Sequence, residues 1–145
     1  MSGASEARAG ADGAGLPDPI RLARGAADET APYLLEAGMR RALFVADETT
    51  ARVIGGRLAQ AYDAAGGAAR LEIIRPNAAG DVVADEASVL QAIIAAQHHG
   101  AAALVAAGSG TIHDIVRYAA FTLGLPFVSV PTAPSVDGFT SKGAP

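Results

Sequence analysis

Short apolar runs alternate along this chain with longer segments of helical spacing, and this alternation restricts the possible folds more than any other feature. The clearest run, residues 42–46, is continuously apolar, which is typical of a strand buried on both faces. A segment of helical spacing follows it, and the same order recurs further along the chain. We therefore expect an α/β, Rossmann-like fold: an open, mostly parallel sheet with helices on both faces.

Glycines and prolines divide the chain into these elements. Strands are predicted at residues 20–24, 42–46, 71–74, 101–106 and 127–130. Helices are predicted over residues 28–37, 49–65, 85–99 and 111–123, each ending at a glycine and the second capped by Thr49 or Thr50. We expect residues 1–18 to form a flexible tail and residues 19–145 to form one dinucleotide-binding α/β domain.

Composition excludes several classes of function. Half of the 145 residues are hydrophobic and 18% are charged, so a globular fold is expected. The net charge is −4, and no basic cluster suggests nucleic-acid binding. Cysteine is absent, which excludes disulfides and thiolate metal sites. No export signal or membrane-spanning run is recognised, so a cytoplasmic protein with no membrane partner is expected.

Gly108, Ser109 and Gly110 stand between a predicted strand and a predicted helix. Such a turn brings unpaired backbone N–H groups and the positive end of a helix dipole to one point, which attracts phosphate. Glycines permit a pyrophosphate to approach the backbone, and the hydroxyls of Ser109 and Thr111 add donors. The dinucleotide fingerprint would have a third glycine where His113 stands, so a plain sharp turn remains the alternative.

Two further segments lie where strands end. Asp47 follows the best predicted strand and is placed either to accept hydrogen bonds from a ribose or, like Glu48, to cap the next helix. Residues 129–141 leave the last strand and carry several hydroxyls around Asp137, on a backbone stiffened by two prolines. The alternative for this loop is a solvated turn.

Two stretches resemble a known family. Residues 108–119, read as GSGTIHDIVRYA, and residues 126–138, read as PFVSVPTAPSVDG, resemble bacterial-type sn-glycerol-1-phosphate dehydrogenases. Those enzymes group with glycerol dehydrogenases, iron-containing alcohol dehydrogenases and dehydroquinate synthases. The resemblance implies reversible reduction of dihydroxyacetone phosphate to sn-glycerol 1-phosphate with NAD or NADP as cofactor. It also implies a divalent metal, Zn or Ni, in the full-length enzyme.

The resemblance assigns roles to individual residues. Asp47 would hold the adenosine ribose, Asp137 the substrate, and Asp114 would secure the glycine turn from within its helix. The remaining cofactor-binding residues are Gly108, Ser109, Gly110, Thr111 and Ile112 at the pyrophosphate, Thr132, Ala133, Pro134 and Ser135 along the adenine-to-nicotinamide portion, and Ser141. The family often has Asn at the position of His113 and Lys at that of Arg117.

The family's metal ligands, an aspartate and two histidines, belong to a helical carboxyl-terminal domain that the spacing places beyond Pro145. We therefore expect a fragment of a two-domain enzyme that has no metal site, binds dinucleotide weakly and does not turn over. His98 and His99 are predicted to be surface residues, and His113 a solvated or phosphate-near side chain. A homo-oligomer is possible. The alternatives are a sugar-phosphate cyclase resembling dehydroquinate synthase and a non-catalytic nucleotide-binding module.

Overall fold

A computed structural model describes residues 26–132, whose strands form one parallel, four-stranded sheet in the order β2-β1-β3-β4. The strands are β1 (Arg41–Ala46), β2 (Ala68–Ile73), β3 (Ala103–Gly108) and β4 (Phe127–Pro131). The helices are α1 (Thr30–Glu36), α2 (Glu48–Thr50), α3 (Gly56–Ala64), α4 (Glu86–His99) and α5 (Gly110–Leu123). A 3-10 turn (Ala26–Glu29) precedes α1, and a π turn (Ala51–Gly55) joins α2 to α3.

The two central strands explain the continuous apolar runs in the sequence. Every residue of β3 is buried, as is every residue of β1 after Arg41. Leu43 and Val45 pack on one face of the sheet, and Phe44 packs on the other. A central strand that is covered on both faces has no side that favours polar residues, so its sequence does not alternate.

Helices cover both faces of the sheet, as the sequence predicts. The core on one face joins α4 and α5 to Leu43 and Val45, and the core on the other joins α1 and α3 to Phe44. Gly100 and Gly124 end α4 and α5 in the left-handed conformation, which glycine adopts without steric cost. The α/β, Rossmann-like expectation is confirmed for the part of the chain that the structure describes.

Strand boundaries differ from the sequence prediction at β2 and β3. Strand β2 begins at Ala68 instead of residue 71, because Ala68 already pairs with Arg41 of β1. Strand β3 is displaced by two residues towards the glycine turn. The Ala101 N–H still bonds to the Ala96 carbonyl of the preceding helix, 3.0 Å away, so the strand starts later and includes Gly108.

The prediction that Thr49 or Thr50 caps the helix after β1 is wrong. Asp47 is the N-cap, which confirms the capping interpretation of this residue, and α2 starts at Glu48. The helix predicted over residues 28–37 is also shorter, because the 3-10 turn occupies its first part.

The predicted tail at residues 1–18, the predicted strand at residues 20–24 and the loop after Thr132 lie outside the described residues. Within residues 26–132 the structure has no helix that is both long and apolar enough to cross a membrane.

Candidate functional site

The topology opens a crevice between the ends of β1 and β3. After β1 the chain turns to α3 on one face of the sheet, and after β3 it turns to α5 on the opposite face. A point where neighbouring parallel strands send their connections to opposite faces is where open α/β sheets bind ligands. Strands β1 and β3 pair from Ala42↔Ala103 to Val45↔Ala106, and continuing that register sets Asp47 opposite Gly108. The topology thus brings two predicted site residues together.

The strand end after β1, residues 47–50, is closed by a capping box. The Asp47 carboxylate accepts a hydrogen bond from the Thr50 N–H through Oδ1 (2.8 Å), and the Thr50 hydroxyl accepts one from the Asp47 N–H (3.0 Å). The Thr50 hydroxyl also lies 3.0 Å from Oδ1. These bonds use Oδ1, so Oδ2 keeps the capacity to accept further donors. Capping and ribose binding are therefore compatible roles for this side chain.

The strand end after β3, residues 108–112, has no such capping bonds, and we call it the open end. Ser109 is the N-cap of α5 in extended conformation, but its side chain makes no capping hydrogen bond. The N–H groups of Gly110, Thr111 and Ile112 have no acceptor within the helix, because the first intrahelical bond is donated by the next residue. Three backbone donors and the positive end of the α5 dipole consequently face the crevice without an internal acceptor, an arrangement suited to an anion.

Glycine is suited to the two positions of the turn for different physical reasons. A Cβ on Gly108 would lie 3.0 Å from Ile112 Cγ1 and 3.2 Å from Thr50 Oγ1, so packing inside the protein requires this glycine. A Cβ on Gly110 would meet nothing within 4 Å. Of the two glycines, Gly110 thus has free space where a Cβ would stand, whereas packing inside the protein fills that space at Gly108. The contact of Gly108 with a pyrophosphate stays a prediction.

His113 differs most from its prediction as a solvated or phosphate-near residue. Its side chain is buried, with 2% exposed. Nδ1 lies 2.8 Å from the Ser109 carbonyl oxygen, and Nε2 lies 2.7 Å from Ser129 Oγ on β4. Burial lowers the pKa of His113, which favours the neutral ring. His113 stands four residues after the N-cap Ser109, so the two lie on one face of the helix, and this spacing was the signal available in the sequence.

The other histidines of the described residues are less central. His98 is exposed, as predicted. His99 is partly buried instead, because its Nε2 lies 2.9 Å from the Ala68 carbonyl oxygen at the start of β2. Both lie at the carboxyl end of α4, which precedes the start of β3, whereas the glycine turn follows the end of that strand.

The neighbours of the turn are placed by α5 and β4. The Asp114 carboxylate faces Arg117, with Oδ1 3.9 Å from Nη2, and within residues 26–132 it makes no hydrogen bond to the turn. The hydrogen bond from this helix to the turn is that of His113, and the role of Asp114 stays a prediction. The Thr132 N–H donates to the Gly108 carbonyl over 3.2 Å, which brings this predicted cofactor-binding residue to the turn.

A small cavity of about 180 Å³ lies elsewhere on the same edge of the sheet, after β2. Arg75, Asn77 and Gln91 contribute to its lining, together with the Asp85–Ser88 cap of α4. It is smaller than the roughly 300–1,000 Å³ of typical ligand pockets. This cavity alone does not accommodate a dinucleotide.

The remaining predicted site residues, Ala133, Pro134, Ser135, Asp137 and Ser141, lie outside the described residues. Within residues 26–132, no group of three or more His, Asp or Glu side chains is arranged to hold a metal ion. The described residues therefore offer a crevice with backbone donors and one carboxylate, and they do not fit a metal.

Comparison with known proteins agrees with this arrangement. The chain is 45% identical over 128 residues to a glycerol-1-phosphate dehydrogenase (NAD(P)+) of Bacillus subtilis and 43% identical over 129 residues to that of Bacillus licheniformis. Each match covers 88% of this chain and 32% of the relative, so the chain spans about a third of their length. The resemblance found in the motifs is confirmed.

Solved structures place the fold in the same group. A probable glycerol dehydrogenase from Sinorhizobium meliloti matches with a TM-score of 0.57 and 26% identity, over 74% of this chain and 26% of its own. An iron-containing alcohol dehydrogenase from Corynebacterium glutamicum matches with a TM-score of 0.65 and 18% identity, over 82% of this chain and 31% of its own. The model of the iron-containing alcohol dehydrogenase family matches residues 21–145, and the chain belongs to that family.

Proposed function

We propose that this chain is the NAD(P)-binding region of a glycerol-1-phosphate dehydrogenase. The observation that carries the proposal is the open strand end at residues 108–112, in a chain more than 40% identical to proteins of that name. The full-length enzyme would reduce dihydroxyacetone phosphate reversibly to sn-glycerol 1-phosphate. When bound, the nicotinamide supplies the hydride, and the residues of this chain supply binding and orientation.

The pyrophosphate would lie against the N–H groups of Gly110, Thr111 and Ile112. Two observations support this position: these donors have no acceptor within α5, and the side of Gly110 where a Cβ would stand is empty. The hydroxyl of Ser109, which makes no cap, is free to add a donor. By the resemblance Gly108 would also contact the pyrophosphate, and its packing against Ile112 and Thr50 shapes the turn.

The adenosine ribose would lie at Asp47, across the crevice from the glycine turn. The register of β1 and β3 places the two strand ends side by side, and Oδ2 remains to accept the ribose hydroxyls. Thr132 would meet the cofactor from β4. By the resemblance, Ala133, Pro134, Ser135 and Ser141 would contact it further along, and Asp137 would contact the substrate.

The described residues do not fit a metal, so no step is assigned to one held by this chain. Zn or Ni stays a prediction for the full-length enzyme, as do the choice between NAD and NADP and any homo-oligomer.

Titration of the purified chain with NADH and NADPH tests the proposal. We expect weak, saturable binding that changes the nicotinamide fluorescence, and no oxidation of NADH when dihydroxyacetone phosphate is added. ATP is the control, because it carries phosphates and adenosine without nicotinamide. Binding of ATP alone would identify a non-catalytic nucleotide-binding module, and turnover by the pure chain would contradict the assignment of catalysis to the full-length enzyme.

A further inference from the structure

His113 is a buried polar side chain for which the proposed cofactor contacts provide no role. Its two ring nitrogens face groups of different character. The Ser109 carbonyl next to Nδ1 can only accept a hydrogen bond, so Nδ1 must carry the proton of the neutral ring. Nε2 then accepts from the Ser129 hydroxyl, which donates over 2.7 Å. The opposite tautomer would set two acceptors against each other at 2.8 Å, so the surroundings select a single one.

The hydrogen bond from His113 Nδ1 gives the Ser109 carbonyl oxygen a second donor. This oxygen already accepts the first intrahelical bond, donated by the His113 N–H over 3.0 Å. With Nδ1 it receives a second donor from the same residue, so both of its lone pairs are engaged. The carbonyl is consequently held in one orientation, towards the body of α5.

The orientation of this carbonyl sets the orientation of a donor. The Ser109 carbonyl and the Gly110 N–H belong to one planar, trans peptide group, in which the two bonds point in opposite directions. A carbonyl held into α5 directs the Gly110 N–H out of the helix end, towards the crevice. Donation to a carbonyl also polarises the N–H of the same peptide group, which strengthens it as a donor.

We propose that His113 is a positioning residue for phosphate binding: through the Ser109 carbonyl it aims the Gly110 N–H into the crevice, and through Ser129 it ties the turn to β4. The inference rests on the proposed function of this turn as the seat of a pyrophosphate. It adds a residue that does not contact the cofactor and acts through the peptide group that does.

The surroundings of the ring favour this role over titration against a partner. Strands β3 and β4 carry no charged side chain, and Phe127 packs edge-on against the ring with centroids 6.2 Å apart. The charged side chains that act on the ring are Arg117, which opposes its protonation, and Asp114, which favours it, both on α5. Desolvation has the largest effect on the pKa of His113: it exceeds the bond to the Ser109 carbonyl, which favours protonation, and both charges. It favours the neutral ring, the form that can accept from Ser129.

Two substitutions separate positioning from mere packing. His113→Leu fills a similar volume but donates no hydrogen bond. His113→Asn places an amide N–H at the distance from the backbone at which histidine carries Nδ1, so it is able to keep the bond to Ser109. It loses the bond to Ser129 and the ring packing against Phe127. His98→Leu on the exposed end of α4 is the matched control for the first change.

The measurement is NADH affinity of the full 145-residue chain at pH 7.5. We expect His113→Leu to bind about tenfold more weakly, the factor that corresponds to one lost hydrogen bond. His113→Asn should stay within about threefold of the unsubstituted chain, and His98→Leu should not change affinity. Unchanged affinity in His113→Leu, or equal losses in His113→Leu and His113→Asn, would overturn the positioning role.

Nitrogen-15 NMR of the unliganded chain keeps this inference separate from the proposed function. We expect Nδ1 of His113 to be protonated and Nε2 not, and the Gly110 amide nitrogen resonance to move in His113→Leu but not in His113→Asn, because only the leucine removes the donor that polarises the Ser109–Gly110 peptide group. A protonated Nε2 in the neutral ring, or the same Gly110 resonance in the two variants, refutes the inference. If NADH and NADPH do not bind but these NMR results are obtained, the proposed function fails while the effect of His113 on the turn stands.

Discussion

The strand ends after β1 and β3 occupy equivalent positions at one crevice but satisfy their backbone donors in opposite ways. At residues 47–50 the first turn of the helix is closed by reciprocal bonds between Asp47 and Thr50. At residues 108–112 the N-cap Ser109 makes no such bond. Asp47 and Ser109 are both N-caps in extended conformation, so the difference in capping comes from their side chains. The first end is stabilised internally, whereas the second leaves its donors for a ligand.

The closed end also supports the open one. Thr50 is buried, and a Cβ on Gly108 would lie 3.2 Å from its hydroxyl. The capping box therefore holds Thr50 against the backbone of the neighbouring strand end. His113 holds the open end from the other side, through the Ser109 carbonyl. An end without its own cap is thus kept in shape by two neighbours that leave its N–H groups untouched.

The largest effect is expected where the open end meets free space. Gly110→Val places a branched side chain at a position where an added Cβ meets nothing within 4 Å, so we expect the free energy of unfolding to change by less than about 1 kcal/mol. The same side chain blocks approach to the backbone donors, and NADH affinity should fall on the order of a hundredfold, or about 3 kcal/mol. Titration calorimetry and urea unfolding of one sample measure both quantities.

The matched control for Gly110→Val is Glu86→Val. Glu86 is the first residue of α4, directly after the N-cap Asp85, as Gly110 is the first residue of α5. The Asp85 junction resembles that of Asp47: the Ser88 N–H bonds to the carboxylate over 2.9 Å, and this bond lowers the pKa of Asp85. Affinity should not change in Glu86→Val. Retained affinity in Gly110→Val would show that the open end is not the phosphate seat.

Much of the fold was predictable because periodicity and burial coincide in it. The continuous apolar run of β1 reflects burial of a central strand on both faces. The glycines after α4 and α5 reflect the left-handed conformation in which these helices end. The boundaries of β2 and β3 were not predictable to the residue. They depend on pairing with β1 and on the end of α4, and these partners are distant in sequence.

The site was predictable in outline and less so in mechanism. The sequence placed Asp47 and the glycine turn at one sheet edge, but the two uses of Asp47 looked exclusive. The structure shows that capping occupies one carboxylate oxygen and leaves the other. The prediction of a solvated His113 fails for a different reason: the burial of its ring depends on Ser129 and Phe127 of β4, which approach it only in the folded sheet.

A smaller effect is expected on the free energy of unfolding when the two N-caps, Asp47 and Ser109, are each replaced by alanine. Asp47→Ala removes the two hydrogen bonds that the carboxylate accepts from Thr50, and we expect the free energy of unfolding to fall by about 1 kcal/mol. Ser109→Ala removes a side chain that caps nothing, so a change below about 0.5 kcal/mol is expected. Asp47→Asn is the control, because asparagine caps as well as aspartate. Equal losses from the two alanine substitutions in urea unfolding would remove the distinction between the ends.

The smallest effect is confined to one range of pH. Burial lowers the folded-state pKa of His113 below its usual 6.5, so the unfolded chain binds a proton at a higher pH than the folded chain. The contribution of His113 to stability is therefore complete above pH 6.5 and is lost as the pH falls through the lowered value. His113→Asn cannot titrate, and it should lose less stability than the unsubstituted chain between pH 7.5 and acid. Thermal unfolding across that range gives the difference, and His98→Asn, at an exposed position, should retain the unsubstituted profile. Parallel profiles for all three proteins would mean that the open end does not depend on a neutral ring.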